Sequence, residues 1–236
     1  MRHLNPEGGW IRSGARLIIV AAFLLALSGC LATRGSRIGG ETPSGEAQIT
    51  ADAYSFNARV WRDGKPTSFK LELYYTDSLI GIAARGYLGK GAFKGWLRSD
   101  SIKVYFPQSN ELLYESLDGL VKNSECGVSV AGLEFLSLFA RTPDSLAMPT
   151  GVGVKPDYAS VDHPQFQIVS EEPSCPWQLE IGYDRQNDRW MPDRIKFDNG
   201  RGVVLKADRE RFRARIGIPL KRFTVVAPPD AIRTIP

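Results

Sequence analysis

"YSFNARVWRDGKPTSFKLELYY", residues 54–75, decides the fold. Tyr54, Phe56, Ala58 and Val60 alternate with Ser55, Asn57 and Arg59, and Phe69, Leu71, Leu73 and Tyr75 alternate with Lys70 and Glu72. A period of two places each apolar set on one face of an extended strand. Between the two runs, Asp63-Gly64 supplies residues that tolerate the positive φ of a tight hairpin turn. The stretch therefore reads as a β-hairpin with one core-facing and one polar face.

The same signal continues downstream in "LIGIAARGY", "AFKGWLR", "SIKVYF" and "ELLYE", joined by the short turns "LGKG" and "PQSN". Six strands with such short connections make an antiparallel meander, because parallel pairs need crossovers of about a dozen residues or more. The period changes at "VAGLEFLSLFAR" (Val130 to Arg141), a run of good helix formers that Thr142-Pro143 stops. Leu133, Leu136 and Ala140 fall together, and Phe135, Leu138 and Phe139 broaden the apolar face. A shorter helix is expected over Ser116 to Lys122, and Thr142 to His163 reads as a loop.

Strands then return as "QFQIV", "WQLEIGYD", "DRIKFD", "GVVLKA", "RERFRARI" and a short "RFTVVAP". The expected fold class is mainly β with a helical insertion: a strongly curved antiparallel sheet, an unclosed β-barrel, whose concave face the helices cap. A β-sandwich with a stray helix is the competing architecture.

Working back toward the N-terminus, residues 31–50, "LATRGSRIGGETPSGEAQIT", are rich in glycine, serine, threonine and proline without apolar periodicity, the composition of a flexible tether. Before it lie the basic residues Arg2, Arg12 and Arg16 and the uncharged run Leu17 to Leu27, shorter than the roughly 20 residues of a membrane-spanning helix. The end of that run, Leu27-Ser28-Gly29-Cys30, resembles the bacterial lipobox. That resemblance implies cleavage before Cys30 and a diacylglyceryl thioether on its sulfur, an anchor to which each buried methylene contributes about 0.8 kcal/mol. Leu31, rather than an aspartate, follows the cysteine and favours the outer membrane, with the domain facing the periplasm. Residues 1–29 are thus expected to be a lipoprotein signal peptide, 30–50 an acylated terminus and tether, and 51–236 one domain.

Taking Arg2, Arg12, Arg16 and Glu7 from the 30 basic and 26 acidic residues leaves 27 against 25, a net charge of +2. Neither a nucleic-acid footprint nor a polybasic tail is present. Cys126 and Cys175 remain after Cys30 is acylated, in a compartment that permits disulfides. A bond between them would close a loop of about 50 residues and stabilise the fold by about 4 kcal/mol in the chain-entropy model; two buried free thiols are the alternative. His163, between Asp162 and Pro164, is the sole histidine outside the signal, so no zinc set is recognisable. No serine sits in a nucleophile-elbow setting, "GYLGKG" lacks a phosphate-loop context, and "DRQND" lacks the glycine and terminal glutamate of an EF-hand. Neither catalysis nor a cofactor is expected. Arg209, Arg211, Arg213 and Arg215 read as one cationic face of a strand, suited to lipid phosphates or an acidic partner, or equally to a solvated edge that resists aggregation.

Three stretches resemble the LolA/LolB superfamily of lipoprotein-localisation factors: the meander around "GYLGKGAFKGWLRSDSIKVYFPQSNELLYES", the helical stretch after it, and the ending "RIGIPLKRFTVVAPPDAIRTI". The resemblance covers roughly Tyr54 to Pro236. It implies an unclosed barrel with a helical lid over an apolar cavity that holds lipoprotein acyl chains, and a chain with its own anchor resembles the receptor side. Leu88, in "YLGKG", matches a loop leucine that the receptor presents to bilayer or partner; a leucine folded onto the barrel rim is the plainer reading. Phe69, Leu71, Leu73, Ile82, Phe93 and Leu97 are the candidate wall, and Leu133, Phe135, Leu136, Leu138 and Phe139 the candidate lid. The same residues also suit a solid core without a cavity. The expected partners are membrane lipid through Cys30, acylated lipoproteins and a periplasmic carrier. A membrane-tethered structural module in envelope assembly, with a filled barrel, is the alternative function.

Overall fold

The computed structural model describes residues 47–86, 89, 91–116, 136–148, 150–157, 163–174, 176–186 and 189–234. The alternating segments form twelve strands: β1 (Gln48–Arg62), β2 (Lys65–Thr76), β3 (Leu79–Gly86), β4 (Gly91–Leu97), β5 (Ser101–Phe106), β6 (Glu111–Ser116), β7 (Val152–Asp157), β8 (Gln165–Ser170), β9 (Gln178–Gln186), β10 (Arg189–Asp198), β11 (Val203–Pro219) and β12 (Ile232–Thr234). All belong to one curved, unclosed sheet in the order β12-β6-β5-β4-β3-β2-β1-β11-β10-β9-β8-β7. The sheet is mixed: β12 lies parallel to β6, and the other pairings are antiparallel.

The opening hairpin forms as its sequence dictates, with Asp63 and Gly64 at φ 50° and 75°. In β1 and β2, Tyr54, Phe56 and Ala58 stand opposite Leu73, Leu71 and Phe69. These pairs share the concave face, which continues through Ile82, Phe93 and Val104 on one side and Leu205, Ile181 and Ile168 on the other. β1 and β11 are the longest strands and hold the two halves together at mid-sheet.

Several elements differ from the sequence expectation. β1 begins at Gln48, so the last residues of the expected tether are strand, because β11 is long enough to pair with them. "GVVLKA" and "RERFRARI" form a single strand, since Asp208, the one residue between them, keeps pairing with β1 opposite Asn57. Two bulges in β11, between the partners of Ala51 and Ala53 and of Ser55 and Phe56, break the expected four-arginine face. Arg209 stands opposite Phe56 on the concave side, whereas Arg211 stands opposite Ser55. The expected loop 142–163 contains β7; its Pro156 is tolerated because β7 is an edge strand. "RFTVVAP" is not a strand: Leu220–Arg222 is a 3-10 turn, residues 224–228 are irregular, and pairing resumes at β12.

The expected helix Val130–Arg141 is corrected in its described part. Ser137–Phe139 is one 3-10 turn and Pro143–Ser145 another, with Thr142 extended as the residue before a proline should be. A single-faced α-helix would send its apolar residues one way. Here Leu136 joins the cluster under β1–β6 and Leu138 joins the cluster under β7–β10. Residues 130–135 lie outside the described set, as does the expected helix beyond Ser116, which itself ends β6.

The convex face is closed near the start of β1 by a smaller cluster of Ala51, Ala53, Tyr74, Ile218 and Phe223. Phe223 is carried there by the turn Leu220–Arg222, whose Leu220 N–H donates to the Ala47 carbonyl at 2.9 Å. Gly81 is required at this contact: a Cβ on it would stand 2.9 Å from the Phe223 ring and 3.0 Å from the Arg222 carbonyl oxygen. Beside it, Glu72 accepts from the Tyr74 hydroxyl (3.1 Å) and pairs with Arg85 (3.2 Å) and Arg222 (3.7 Å). Burial, then the Glu72 charge, push the Tyr74 hydroxyl up to about 12. Gly81→Ala is expected to destabilise the protein by about 1–3 kcal/mol through overpacking, read as a lower denaturant midpoint at unchanged slope.

Candidate functional site: the concave face and its covering segment

The order of the sheet creates the site. The chain leaves β6 near one edge and re-enters at β7 on the other, ten strand positions away, roughly 48 Å across a flat sheet. The described part of the connection between them lies on the concave side. Leu136 and Leu138 are buried there, and Phe139 packs half-buried against the same cluster. Its ring meets Tyr54 edge-on at 5.5 Å and stacks on Tyr75 at 5.8 Å.

The candidate wall is one contiguous surface. Phe69, Leu71, Leu73, Ile82 and Phe93 are buried in a common cluster with Leu136, and Leu97 packs against it. Phe69 and Phe93 meet edge-on at 6.3 Å. Leu133 and Phe135 of the candidate lid lie outside the described residues, as do Leu88, Cys30, Cys126 and Cys175.

Sequence reading missed the far half of the surface. Tyr183, in phase with Leu179 and Ile181 and so readable by alternation, is fully buried, and its hydroxyl donates to the Leu138 carbonyl at 3.0 Å. Phe212 packs on Tyr54 at 4.8 Å. Met191, in "RWMPD", carries no periodic signal yet is buried in the same cluster as Phe56.

One end of the concave face is polar. Asp52, 5% exposed, accepts the Arg189 guanidinium at 2.7 Å and the backbone N–H of Arg215 at 2.8 Å, which fixes the bulge where Arg215 sits at φ 49°. Arg209 donates to Asp184 at 2.7 Å and to the Pro192 carbonyl at 3.2 Å. Between these pairs the Tyr54 hydroxyl is buried without a hydrogen-bond partner among the described residues. Burial, and next the Asp52 charge, raise its pKa far above the ordinary value, so it stays a neutral donor. The described residues contain no group of three or more metal-ligating side chains. His163 is 3.9 Å from Asp184 and largely exposed.

Burial pushes the Asp184 carboxyl up, but hydrogen bonds from Gln186 and Arg209, with the Arg209 charge, outweigh it and hold the group below its ordinary 3.8. A depressed carboxyl stabilises the fold above its unfolded pKa and loses that contribution as the pH falls through the folded value. Stability is therefore expected to drop below about pH 4, and Asp184→Asn to lower stability at pH 7 while flattening that acid limb, measured as unfolding midpoint against pH.

No family model matches the chain, and no curated protein matches it. Among solved structures, it is similar to an uncharacterized conserved protein from Thermus thermophilus: TM-score 0.38, 13% identity, covering 77% of this chain and 90% of that one. It is similar to a domain described as an outer membrane lipoprotein-sorting protein from Vibrio parahaemolyticus: TM-score 0.37, 10% identity, covering 69% and 84%. A DUF1329 family protein from Desulfovibrio piger gives TM-score 0.39 at 12% identity, covering 90% and 97%.

Proposed function

We propose that this protein is a non-enzymatic acyl-chain binder, anchored to the outer membrane through a lipidated Cys30, that receives or inserts acylated lipoproteins or handles another lipid from the periplasmic side. The observation that carries this reading is the make-up of the covering segment. It meets the sheet through the buried Leu136, Leu138 and Pro143 and through Phe139, Leu146 and Met148, while backbone bonds run within its own turns, from Phe139 to Leu136, Ala140 to Ser137 and Leu146 to Pro143. Lifting it breaks apolar contact and the Tyr183 hydrogen bond.

The exchange is balanced in magnitude. Leu136, Leu138 and Phe139 alone, at about 1.5–3 kcal/mol each, amount to roughly 5–9 kcal/mol. Pro143, Leu146 and Met148 add to that, and an acyl chain of about 15 methylenes offers roughly 12 kcal/mol if fully buried. An acyl chain thus replaces the plug contact for contact, and the difference in affinity between donor and acceptor sets the direction of transfer. The unpartnered Tyr54 hydroxyl suits the carbonyl of an acyl ester or amide, a neutral acceptor at the polar end of an apolar groove.

A second reading, a tethered structural module with a filled barrel, draws support from the close packing of the described concave side chains. The two part in one experiment. The Cys30→Ala chain, exported and purified without detergent, is extracted with organic solvent and analysed by mass spectrometry. Stoichiometric acyl species are expected; a ligand-free protein that also refuses fluorescent acyl probes favours the filled module. Tyr54→Phe is expected to act with opposite signs. It stabilises the empty protein slightly by removing an unpaired buried donor, and weakens acyl binding by about 0.5–1.5 kcal/mol, a few-fold in affinity.

A further inference from the structure

The convex face near the β1–β2 turn carries a feature with no part in the concave groove. Strand register places Arg59 directly opposite Lys206 of β11, and Lys206 opposite Lys196 of β10. Like charges facing across strands are destabilising, and several cations on this face have an acidic neighbour: Lys70 pairs with Glu210 at 2.6 Å, Arg85 with Glu72 at 3.2 Å, Arg194 with Asp208 at 3.4 Å and Lys196 with Glu180 at 3.4 Å. Arg59 and Lys206 have no carboxylate partner among the described residues. Both stand over the ring of Trp61 instead, at 5.7 Å and 5.4 Å from its centroid, and the Arg59 Nε donates to the Ser68 hydroxyl at 3.2 Å.

These residues line an open concavity of about 750 Å³, with Asn57, Lys70, Arg85 and Asp208 completing its rim. An oxyanion seated there bridges the two facing cations and removes their repulsion, with charge-assisted hydrogen bonds to both.

We infer that this concavity, built by Arg59, Lys206 and Trp61, binds the phosphate of anionic lipid headgroups and sets the domain against a membrane surface. Three observations favour a headgroup over a soluble phosphate. The indole between the cations has the amphipathic character that places tryptophan at membrane interfaces. The adjoining hairpin tip adds exposed Arg62 and Lys65 to the same end of the molecule. The 17 residues between Cys30 and Gln48 reach about 60 Å when extended. The path along β1 from Gln48 to Trp61 is roughly 40 Å, so an anchored chain has the reach to lay this end on its own bilayer.

The site does not depend on what the concave face holds, and its test is separate from the acyl-extraction experiment. The exported Cys30→Ala chain is sedimented with vesicles of phosphatidylcholine alone or with 30% phosphatidylglycerol, at low and high salt. Binding is expected to need phosphatidylglycerol and to weaken with salt. Arg59→Ala/Lys206→Ala is expected to weaken it about 20- to 30-fold, the equivalent of about 1 kcal/mol per cation. Arg211→Ala/Arg213→Ala, which removes equal charge outside the concavity, should change it by less than about 3-fold. Should the double variant unfold, Arg59→Gln and Lys206→Gln, each expected at about 5-fold, carry the same test. Unchanged binding on loss of Arg59 and Lys206, or an equal loss in the Arg211/Arg213 variant, overturns the site. Binding of inorganic phosphate, read by phosphorus NMR, without vesicle recruitment overturns the lipid assignment and leaves a soluble phosphate as its ligand.

Discussion

The pairing of β1 with β11 is the constraint on which the rest of the molecule depends. Arg62 meets Val203 and Gln48 meets Pro219, so strands from opposite ends of the domain become neighbours at mid-sheet. Without that ladder there are two separate meanders, each with an exposed edge and half of an apolar face. With it, the concave surface is continuous from Val104 to Ile168, and the described part of the connection between β6 and β7 lies across the junction of its two clusters. The place of the covering segment thus depends on strand order as well as on side-chain chemistry. The same pairing has a kinetic cost, because contacts this distant in sequence close large loops and form late.

The two faces use different physics. The concave face is continuous apolar burial, interrupted at one end by paired charges and the Tyr54 hydroxyl. Among the described residues the convex face buries a small patch, where Phe223 sits over Gly81 and Tyr74. Elsewhere several of its cations are paired with carboxylates across strands. Arg59 and Lys206 face each other over Trp61 without such a partner among the described residues, which is why an external anion fits between them, whereas Lys70 and Arg85 have internal partners.

Local alternation made the first hairpin and most of the wall residues from Phe69 to Phe93 legible in the sequence, because most of β1 and β2 has one buried and one solvated face, while β3, buried on both, was legible from its short apolar run between turns. What escaped it depends on neighbours distant in the chain. β7 was hidden because Gly153 and Pro156 suit a loop as well as an edge strand. The 3-10 turns replaced a helix because Leu136 and Leu138 serve two different clusters, a demand that appears only once the sheet is assembled. The bulges in β11 put Arg209 on the concave side, and no one-strand pattern contains a bulge. The residues of the convex concavity come from four strands, and its charged members read singly as ordinary surface charge.

The exit of the chain from the sheet has a mechanical meaning. Ala47 is tied to Leu220 just before β1 begins, and β1 then runs between β2 and β11 with ladder hydrogen bonds on both sides. A pull on the chain from its N-terminal side enters the domain along the axis of a strand paired on both sides. Such a load divides over many hydrogen bonds strained in shear at once, whereas a strand held at a sheet edge and pulled sideways gives way one bond at a time. The strand that joins the two halves of the domain is thus also the one best placed to bear tension applied through the N-terminal side of the chain.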